Sequence, residues 1–193
     1  MSYDDVRNGD LAAVVTFLEM REKPRQAVPP SSLSLRRIEN PHTNVYRSLF
    51  RQVGSPWLWF SRLVMDDAKL AAIIQHPEVD LYAVIDETGR EVGMLELDFR
   101  ETGEGELSFV GLIPELSGQG HGRWLLAEAV RLAWRDGVGR VHVHTCTLDH
   151  PAALSAYRRA GFEPYRRAIE HFPDPRLIGI LPRDCAPQIP LIG

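Results

Sequence analysis

The stretch Ser117-Gly118-Gln119-Gly120-His121-Gly122 places three glycines two residues apart, directly before a helical pattern. Glycine allows the backbone to approach a ligand closely. A helix that begins near Gly120 leaves unpaired N–H groups at its positively polarised end. The turn therefore predicts an anion site suited to a pyrophosphate. Taken alone, the pattern also fits a tight connection that binds nothing.

The spacing of the glycines separates this turn from other nucleotide-binding loops. A dinucleotide fingerprint is G-x-G-x-x-G with an acidic residue about 20 positions downstream. This chain has G-x-G-x-G, with Arg140-Val141-His142 in the downstream region. The Gly-Lys-Ser/Thr ending of a phosphate loop is also missing. Three strand patterns joined by short loops precede the turn, which favours antiparallel pairing over a βαβ unit.

The periodicity of apolar residues predicts the element order β, α, α, β, β, β, α, β, α, β, β. The predicted strands are residues 14–18, 81–85, 91–100, 105–113, 141–147, 162–169 and 177–181. The predicted helices are residues 44–53, 66–75, 123–134 and 151–159. Residues 183–193 are expected to form a loosely ordered tail after Pro182.

Composition is that of an ordinary globular protein, with 193 residues, 44% hydrophobic residues and a net charge of −4. The length predicts one domain over residues 1–193. Only short arginine pairs occur, so no nucleic-acid partner is expected. The chain contains no run of 18 apolar residues, so no membrane span is predicted. The N-terminus lacks a signal-peptide pattern. Two cysteines make no disulfide framework, so we expect a cytoplasmic protein.

A second motif is His150-Pro151-Ala152-Ala153-Leu154-Ser155-Ala156-Tyr157-Arg158-Arg159-Ala160-Gly161-Phe162-Glu163. With the glycine turn, it resembles the GNAT superfamily of acyl-CoA-dependent N-acyltransferases. That family has Gln/Arg-x-x-Gly-x-Gly/Ala at its pyrophosphate turn and a later Asn-x-x-Ala-x-x-x-Tyr-x-x-x-Gly-Phe segment. Gly120, Gly122 and Tyr157 match, whereas Ser117 stands where Gln or Arg is usual and His150 where Asn is common. The resemblance covers about residues 79–181.

The resemblance implies an α/β (α+β) fold, with a mixed, mostly antiparallel sheet and helices on both faces. The fourth and fifth strands, 105–113 and 141–147, are expected to splay apart around the cofactor. The implied activity is N-acetyl transfer from acetyl-CoA, or another short acyl-CoA, to a small-molecule or peptide amine by direct attack, without a metal. The alternative is a non-catalytic CoA-binding or regulatory module. The oligomeric state stays open, with the homodimer as the commonest assembly.

The resemblance also implies roles for individual residues. Tyr157 matches the general acid that many members use, and Glu106 resembles the base, with Glu96, Asp98 or water as alternatives. Partial burial is expected to raise the pKa of Glu106. The implied cofactor-binding residues are Leu112, Ile113, Gly118, Gln119, Gly120, His121, Gly122 and His150.

An aromatic segment, Trp57-Leu58-Trp59-Phe60, follows the first predicted helix. The corresponding region often walls the acceptor site in the family, so Trp59 and Arg62 are predicted to bind substrate. The alternative is that the aromatic side chains belong to the core. A pocket here would suit an apolar acceptor, and Arg62 or Arg47 would be able to hold a carboxylate.

Three residues able to bind a metal occupy alternate positions along one predicted strand: His142, His144 and Cys146. Positions two apart on a strand are separated by about 6.6 Å, so three ligands in a row fit one ion poorly. We expect half-buried, hydrogen-bonded histidines, with acceptor binding or proton relay as the alternative. A covalent acyl carrier at Cys146 is a further alternative.

Overall fold

The computed structural model describes residues 3–25 and 27–193, which fold around a seven-stranded sheet. The strands are β1 (Asp10–Met20), β2 (Ser34–Arg37), β3 (Val79–Ile85), β4 (Glu91–Asp98), β5 (Glu104–Leu112), β6 (Arg140–Cys146) and β7 (Glu163–Pro173). The helices are α1 (Thr43–Gly54), α2 (Asp67–Ile74), α3 (His121–Ala133) and α4 (Ala153–Arg159). The strand order is β2-β3-β4-β5-β6-β1-β7.

Strands β5 and β6 form the parallel pair of the described sheet, and the other neighbours run antiparallel. Within residues 3–25 and 27–193, β5 and β6 are paired only from Glu104–Arg140 to Glu106–His142. Beyond that point the two strands separate. The expected splay between the strands at 105–113 and 141–147 is therefore confirmed, and it opens the sheet near Glu106.

Helices α1 and α3 cover opposite faces of the sheet. A side chain added at Gly105 would meet the Ala133 carbonyl of α3 at 3.2 Å, whereas one at Gly111 would meet Val53 of α1 at 2.7 Å. A bulge in β5 lies between these glycines, so they face opposite sides. We call the two sides the α1 face and the α3 face.

The hydrophobic core is centred on β4, which is buried along nearly its whole length. Val92, Met94 and Leu95 are all buried, although they break a simple alternation of apolar and polar residues. A strand covered on both faces needs no polar side. Because helices cover both faces of β4, apolar residues occupy both sides of the strand at its start.

The N-terminal strand β1 lies between β6 and β7, and its partner β7 runs antiparallel to it. The prediction of a strand at 177–181 is wrong: Leu177 and Leu181 belong to turns closed by the carbonyls of Asp174 and Pro175. The prediction also missed β2, which has four residues and no apolar alternation.

The C-terminal segment is fastened to the fold, which differs from the loosely ordered tail predicted for 183–193. Arg176 pairs with Asp174 at 2.7 Å, and both side chains are almost fully buried. The same guanidinium donates to the carbonyls of Ala186 at 3.2 Å and Ile189 at 3.0 Å. Gln188 donates to the Pro56 carbonyl at 2.7 Å. The segment therefore packs beside the loop that follows α1.

No helix within residues 3–25 and 27–193 is long and apolar enough to cross a membrane.

Candidate active site

A cleft of about 1440 Å³ lies where β5 and β6 diverge. Its wall includes the segment after α1, β5, the glycine turn, one side of α3, β6 and the start of α4. The cleft therefore reaches from the glycine turn through the split in the sheet to the α1 face. Of the predicted site residues, those on its wall are Trp59, Arg62, Glu106, Leu112, Gly118, Gly120, Gly122, His150 and Tyr157.

The glycine turn leaves the start of α3 open. Gly118 and Gly120 have φ angles of +76° and +86°, a left-handed conformation that favours glycine. Gly120 is the N-cap of α3, no side chain caps the helix, and the first turn carries no acidic residue. The Arg123 N–H bonds the Gly120 carbonyl at 3.1 Å, and the N–H groups before it in the turn are available to an anion. Gly118, Gly120 and Gly122 each have more than 4 Å of free space where a side chain would begin.

The two side chains interleaved with these glycines are engaged elsewhere. Gln119 donates to the Glu115 carbonyl at 2.7 Å, and Nδ1 of His121 lies 3.0 Å from the Ser31 hydroxyl. Neither side chain is on the cleft wall within the described residues. The turn therefore offers its backbone to a ligand.

The end of β5 and the start of α4 flank the split. Beyond Glu106, the edge of β5 that faces β6 has no strand partner in the described part of the chain. Leu112 lies on the cleft wall, whereas Ile113 is buried and its N–H bonds the Val92 carbonyl at 2.9 Å. Nδ1 of His150 accepts from the Ala152 N–H at 3.1 Å, so His150 shapes the turn before α4.

Tyr157 reaches the cleft from α4 with only 9% of its surface exposed. Its ring packs edge-to-face on Phe162 at 5.9 Å. Its hydroxyl makes no hydrogen bond to any described residue, so it is free to donate to a ligand. Burial, with a contribution from Asp149, raises the pKa of Tyr157 above its ordinary value of 10.0. The phenol is therefore protonated at neutral pH.

Glu106 forms a pair with His144 across the mouth of the split. Oε1 of Glu106 lies 3.6 Å from Nδ1 of His144. Interaction with His144 lowers the pKa of Glu106, although burial opposes this effect. The expectation of a raised pKa for Glu106 is therefore wrong, because the neighbouring imidazole outweighs burial. In turn, Glu106 raises the pKa of His144 above its ordinary value of 6.5.

His142 lies one step further along the same face of β6. Its Nε2 is 3.3 Å from a carboxylate oxygen of Glu104. Burial lowers the pKa of His142. His142 is half-buried, as expected from the sequence, whereas His144 is exposed. Each lies beside a carboxylate, and His144 is the one of the two on the cleft wall.

The alternative bases Glu96 and Asp98 lie on β4 in different surroundings. Glu96 is fully buried and accepts from Tyr46 at 2.5 Å and Arg62 at 2.6 Å. It is not on the cleft wall in the described residues. Burial alone would raise the pKa of Asp98, but hydrogen bonds from Arg100 lower it. Asp98 also lies on the cleft wall but is paired with Arg100. Of the three acids, Glu106 is therefore the one that lies on the wall beside an imidazole.

The two arginines suggested as carboxylate holders are already paired. Arg62, with 11% of its side chain exposed, bonds Glu96 and lies 5.2 Å over the Phe109 ring. Arg47 pairs with Asp67 at 2.5 Å and donates to the Met65 carbonyl at 2.8 Å. Their charges are therefore balanced within the protein.

Trp59 links the segment after α1 to the connection between β6 and α4. Its Nε1 donates to Oδ1 of Asp149 at 3.1 Å, while its ring packs on Phe109 at 5.2 Å. Oδ2 of Asp149 accepts from the Thr145 hydroxyl at 2.7 Å and the Cys146 N–H at 2.9 Å. Sequence reasoning missed Asp149, although an Asp just before His150-Pro151 is a typical turn signal.

The Cys146 thiol is poorly suited to covalent catalysis. Burial raises the pKa of the Cys146 thiol to about 11, so the nucleophilic thiolate is scarce at neutral pH. Within residues 3–25 and 27–193, no group of three His, Cys, Asp or Glu side chains is placed to hold a metal ion.

Comparison with solved structures shows the same fold in several acetyltransferases. A GCN5-related N-acetyltransferase from Sphaerobacter thermophilus is 18% identical with a TM-score of 0.59, covering 86% of this chain and 52% of its own. One from Kribbella flavida is 19% identical with a TM-score of 0.54, covering 89% and 63%. AAC(6')-Iy, bound to the bisubstrate analogue CoA-S-monomethyl-acetylneamine, is 21% identical with a TM-score of 0.54, covering 72% and 95%. The chain thus spans about half the length of the Sphaerobacter protein.

No curated protein is significantly similar to the chain in sequence. The model of the acetyltransferase (GNAT) family, however, matches residues 44–162, more than half of the chain. That match includes α1 except its first residue, the glycine turn and Tyr157, and it agrees with the splayed sheet. The chain therefore belongs to the acetyltransferase (GNAT) family.

Proposed function

We propose that the chain transfers an acetyl group from acetyl-CoA to an amine by direct attack. The observation that carries the proposal is the continuity of the cleft. It joins the uncapped start of α3 to Tyr157 and then, through the split, to Glu106 and His144. A pyrophosphate site and the groups needed for proton transfer therefore share one cavity.

The shape of the cleft supports a long, partly anionic cofactor. The N–H groups at Gly120 suit a pyrophosphate, and the unpaired edge of β5 suits an amide-containing arm that runs beside a strand. The family uses acyl-CoA, and AAC(6')-Iy has been solved with an analogue that contains CoA. The acetyl group would then lie near the split, between Tyr157 and Glu106.

The proposed reaction has one bond formed and one broken at the acyl carbon. The acceptor nitrogen attacks the thioester carbonyl, and the C–S bond breaks as the C–N bond is completed. Tyr157 donates its phenolic proton to the leaving thiolate sulfur. The raised pKa of Tyr157 keeps that proton in place until the thiolate develops. The products are the N-acetylated amine and free CoA.

The proton lost by the amine goes to the pair formed by Glu106 and His144. At 3.6 Å, the carboxylate can hold the imidazole in position and stabilise its protonated form. Neutral His144 accepts the proton, directly or through a water, and Glu106 compensates the resulting charge. The high pKa of Cys146 supports direct attack over an acyl-enzyme route.

The alternative is a non-catalytic CoA-binding or regulatory module. A thiol-release assay with acetyl-CoA and a panel of amines separates the two. The proposal predicts CoA release that depends on the amine, with equal formation of acetylated product. Thermal stabilisation by CoA without release for any amine would instead support the binding module, since ligand at about 100 times its Kd adds about 2.7 kcal/mol.

A further inference from the structure

The α1 face of the cleft carries an aromatic surface that extends from β5 to β7. Phe109 of β5 packs against Trp59 at 5.2 Å. At the other end, Phe172 of β7 packs against Phe60 at 4.9 Å. All four side chains lie on the cleft wall. This part of the cleft therefore offers ring faces and edges to an apolar group.

The positive side chains of this region have no spare charge. Arg62 is paired with the buried Glu96 at 2.6 Å, and Arg100 is paired with Asp98 at 2.5 Å. The other cationic residues on the wall are Lys23, near the end of α3, together with Arg123, Arg131 and Arg159 on α3 and α4. Arg131 is paired with Glu128 at 2.7 Å. The positive charge without an ion pair among the described residues therefore belongs to Lys23, Arg123 and Arg159, toward the proposed cofactor side and away from the aromatic surface.

Negative charge remains on the α1 face. Val15 of β1 pairs with Cys146 on one side and Ala168 on the other, so the alternation of β7 places Glu170 and Phe172 on the same face as His144. Glu170 is exposed, lies on the cleft wall, and has no ion pair or hydrogen bond with any described residue. Glu106 lies on the same face, beside His144.

From this distribution we infer that the acceptor is a primary amine on an apolar or aromatic body without a carboxylate, and that Glu170 attracts its ammonium form. The inference rests on the proposed function and specifies its substrate class. The rings of Phe60 and Phe172 would cover the apolar body. A carboxylate on the acceptor would face Glu170 and Glu106 without an unpaired cation to balance it.

The first test compares acceptors that share a ring system. Initial rates with saturating acetyl-CoA are measured for phenethylamine against phenylalanine and for tryptamine against tryptophan. We expect kcat/KM to be at least about tenfold higher for the members without a carboxylate, equivalent to about 1.4 kcal/mol. Equal or better turnover of the amino acids would overturn the inference.

The second test removes the charge at Glu170. Glu170→Gln should raise the KM for phenethylamine about three- to tenfold with little change in kcat, because the side chain attracts the acceptor without touching the acyl group. The matched control is Glu163→Gln, since Glu163 is exposed on the same strand but outside the cleft wall. An unchanged KM in the Glu170 variant would refute the inference.

The outcomes for the two proposals are distinct. If no amine in the panel causes CoA release, the proposed function fails and the inference fails with it. If CoA is released equally well for amines with and without a carboxylate, the proposed function stands and only the inference on substrate class is lost. Circular dichroism of the Glu170 variant verifies that the comparison concerns folded protein.

Discussion

The indole Nε1 of Trp59 donates a 3.1 Å hydrogen bond to Oδ1 of Asp149. The two residues are 90 positions apart in sequence, and their bond links the segment after α1 to the connection between β6 and α4. Gly54 makes room for this arrangement, since a side chain there would come within 2.5 Å of Trp59. The segment that carries the aromatic side chains is therefore in direct contact with the connection that leads into α4, the helix of Tyr157.

Trp59→Phe should weaken that link while keeping an aromatic ring. We expect the acceptor KM to rise about threefold or more, because the ring at position 59 would no longer be held by Asp149. The acetyl-CoA KM should stay unchanged. Steady-state kinetics with each substrate varied in turn measure both values. Trp134→Phe is the control, since Trp134 contacts the Met20 sulfur outside the cleft wall. An unaltered acceptor KM for the Trp59 variant would argue against Trp59 as part of the acceptor site.

Tyr157→Phe should lower turnover by more than about tenfold, because the leaving thiolate loses its proton donor. The phenylalanine ring keeps the packing on Phe162, so acetyl-CoA affinity should change little. Single-turnover CoA release measures the chemical step, and Tyr82→Phe on β3 serves as a control outside the cleft wall. Near-normal turnover would exclude Tyr157 as the acid.

The pH dependence tests the pair formed by Glu106 and His144. The proposed mechanism needs neutral His144, so kcat/KM should rise with pH through a pKa above 6.5, because Glu106 raises the pKa of His144. Glu106→Gln removes the largest cause of that shift and should move the acidic limb to lower pH. A limb at the same pH in this variant would mean that another group is the base.

His144→Gln provides the complementary measurement. Without the imidazole, Glu106 would be the remaining proton acceptor, and the acidic limb should move to lower pH than in the unchanged protein, because a carboxylate is a weaker base than an imidazole. Turnover should drop by about 10²-fold or more, since a positioned general base contributes roughly 10²–10⁴-fold. Full activity with an unchanged profile would remove both residues from the proton path.

Gly120→Ala tests the turn as the cofactor site. Alanine at a φ of +86° is strained, and relaxation would turn the N–H groups at the start of α3 away from an anion. We expect the Kd for acetyl-CoA, measured by calorimetry, to rise about five- to tenfold. Gly89→Ala is a close control, because Gly89 has the same φ in the turn between β3 and β4. Equal Kd values for the two variants would contradict a cofactor role for the turn.

Arg176→Ala should destabilise the fold by about 3–5 kcal/mol, because it leaves the buried Asp174 carboxylate unpaired. It also removes the donors that hold the carbonyls of Ala186 and Ile189. Urea unfolding followed by circular dichroism gives the difference in free energy of unfolding. Arg183→Ala, an exposed change in the same segment, should cost less than about 0.5 kcal/mol. A similar decrease in the free energy of unfolding for both variants would show that Arg176 does not hold the C-terminal segment in place.

The sequence predicted the parts of the fold that depend on local patterns. The alternation at 141–145 identifies a strand, and the glycines at 118–122 identify the start of a helix, without reference to any other part of the chain. The position of β1 between β6 and β7 depends on pairing across more than 120 residues, which local patterns do not reveal. The sequence therefore offered the nearby apolar run at 177–181 as a last strand after 162–169, whereas β7 pairs with β1. Arg176 decides the path of that segment, and no periodicity reveals its carbonyl partners.

In the candidate site too, features set by local sequence were predicted and features set by distant contacts were not. Tyr157 was identified because it stands in a motif of fixed spacing. The pKa of Glu106 was predicted in the wrong direction because burial was considered without the imidazole of His144, which approaches from another strand. Glu170 and Asp149 were missed, since each acquires its place in the cleft only when β6, β1 and β7 come together.

The most direct test of acetyl transfer is a coupled measurement of both products. Purified protein is incubated with acetyl-CoA and phenethylamine, and free CoA thiol and N-acetylated amine are quantified over time. The account predicts equal molar yields of the two products, turnover beyond one equivalent of protein, and a loss of more than about tenfold in Tyr157→Phe. Thiol release without acetylated amine, or no release with any amine of the panel, would contradict it.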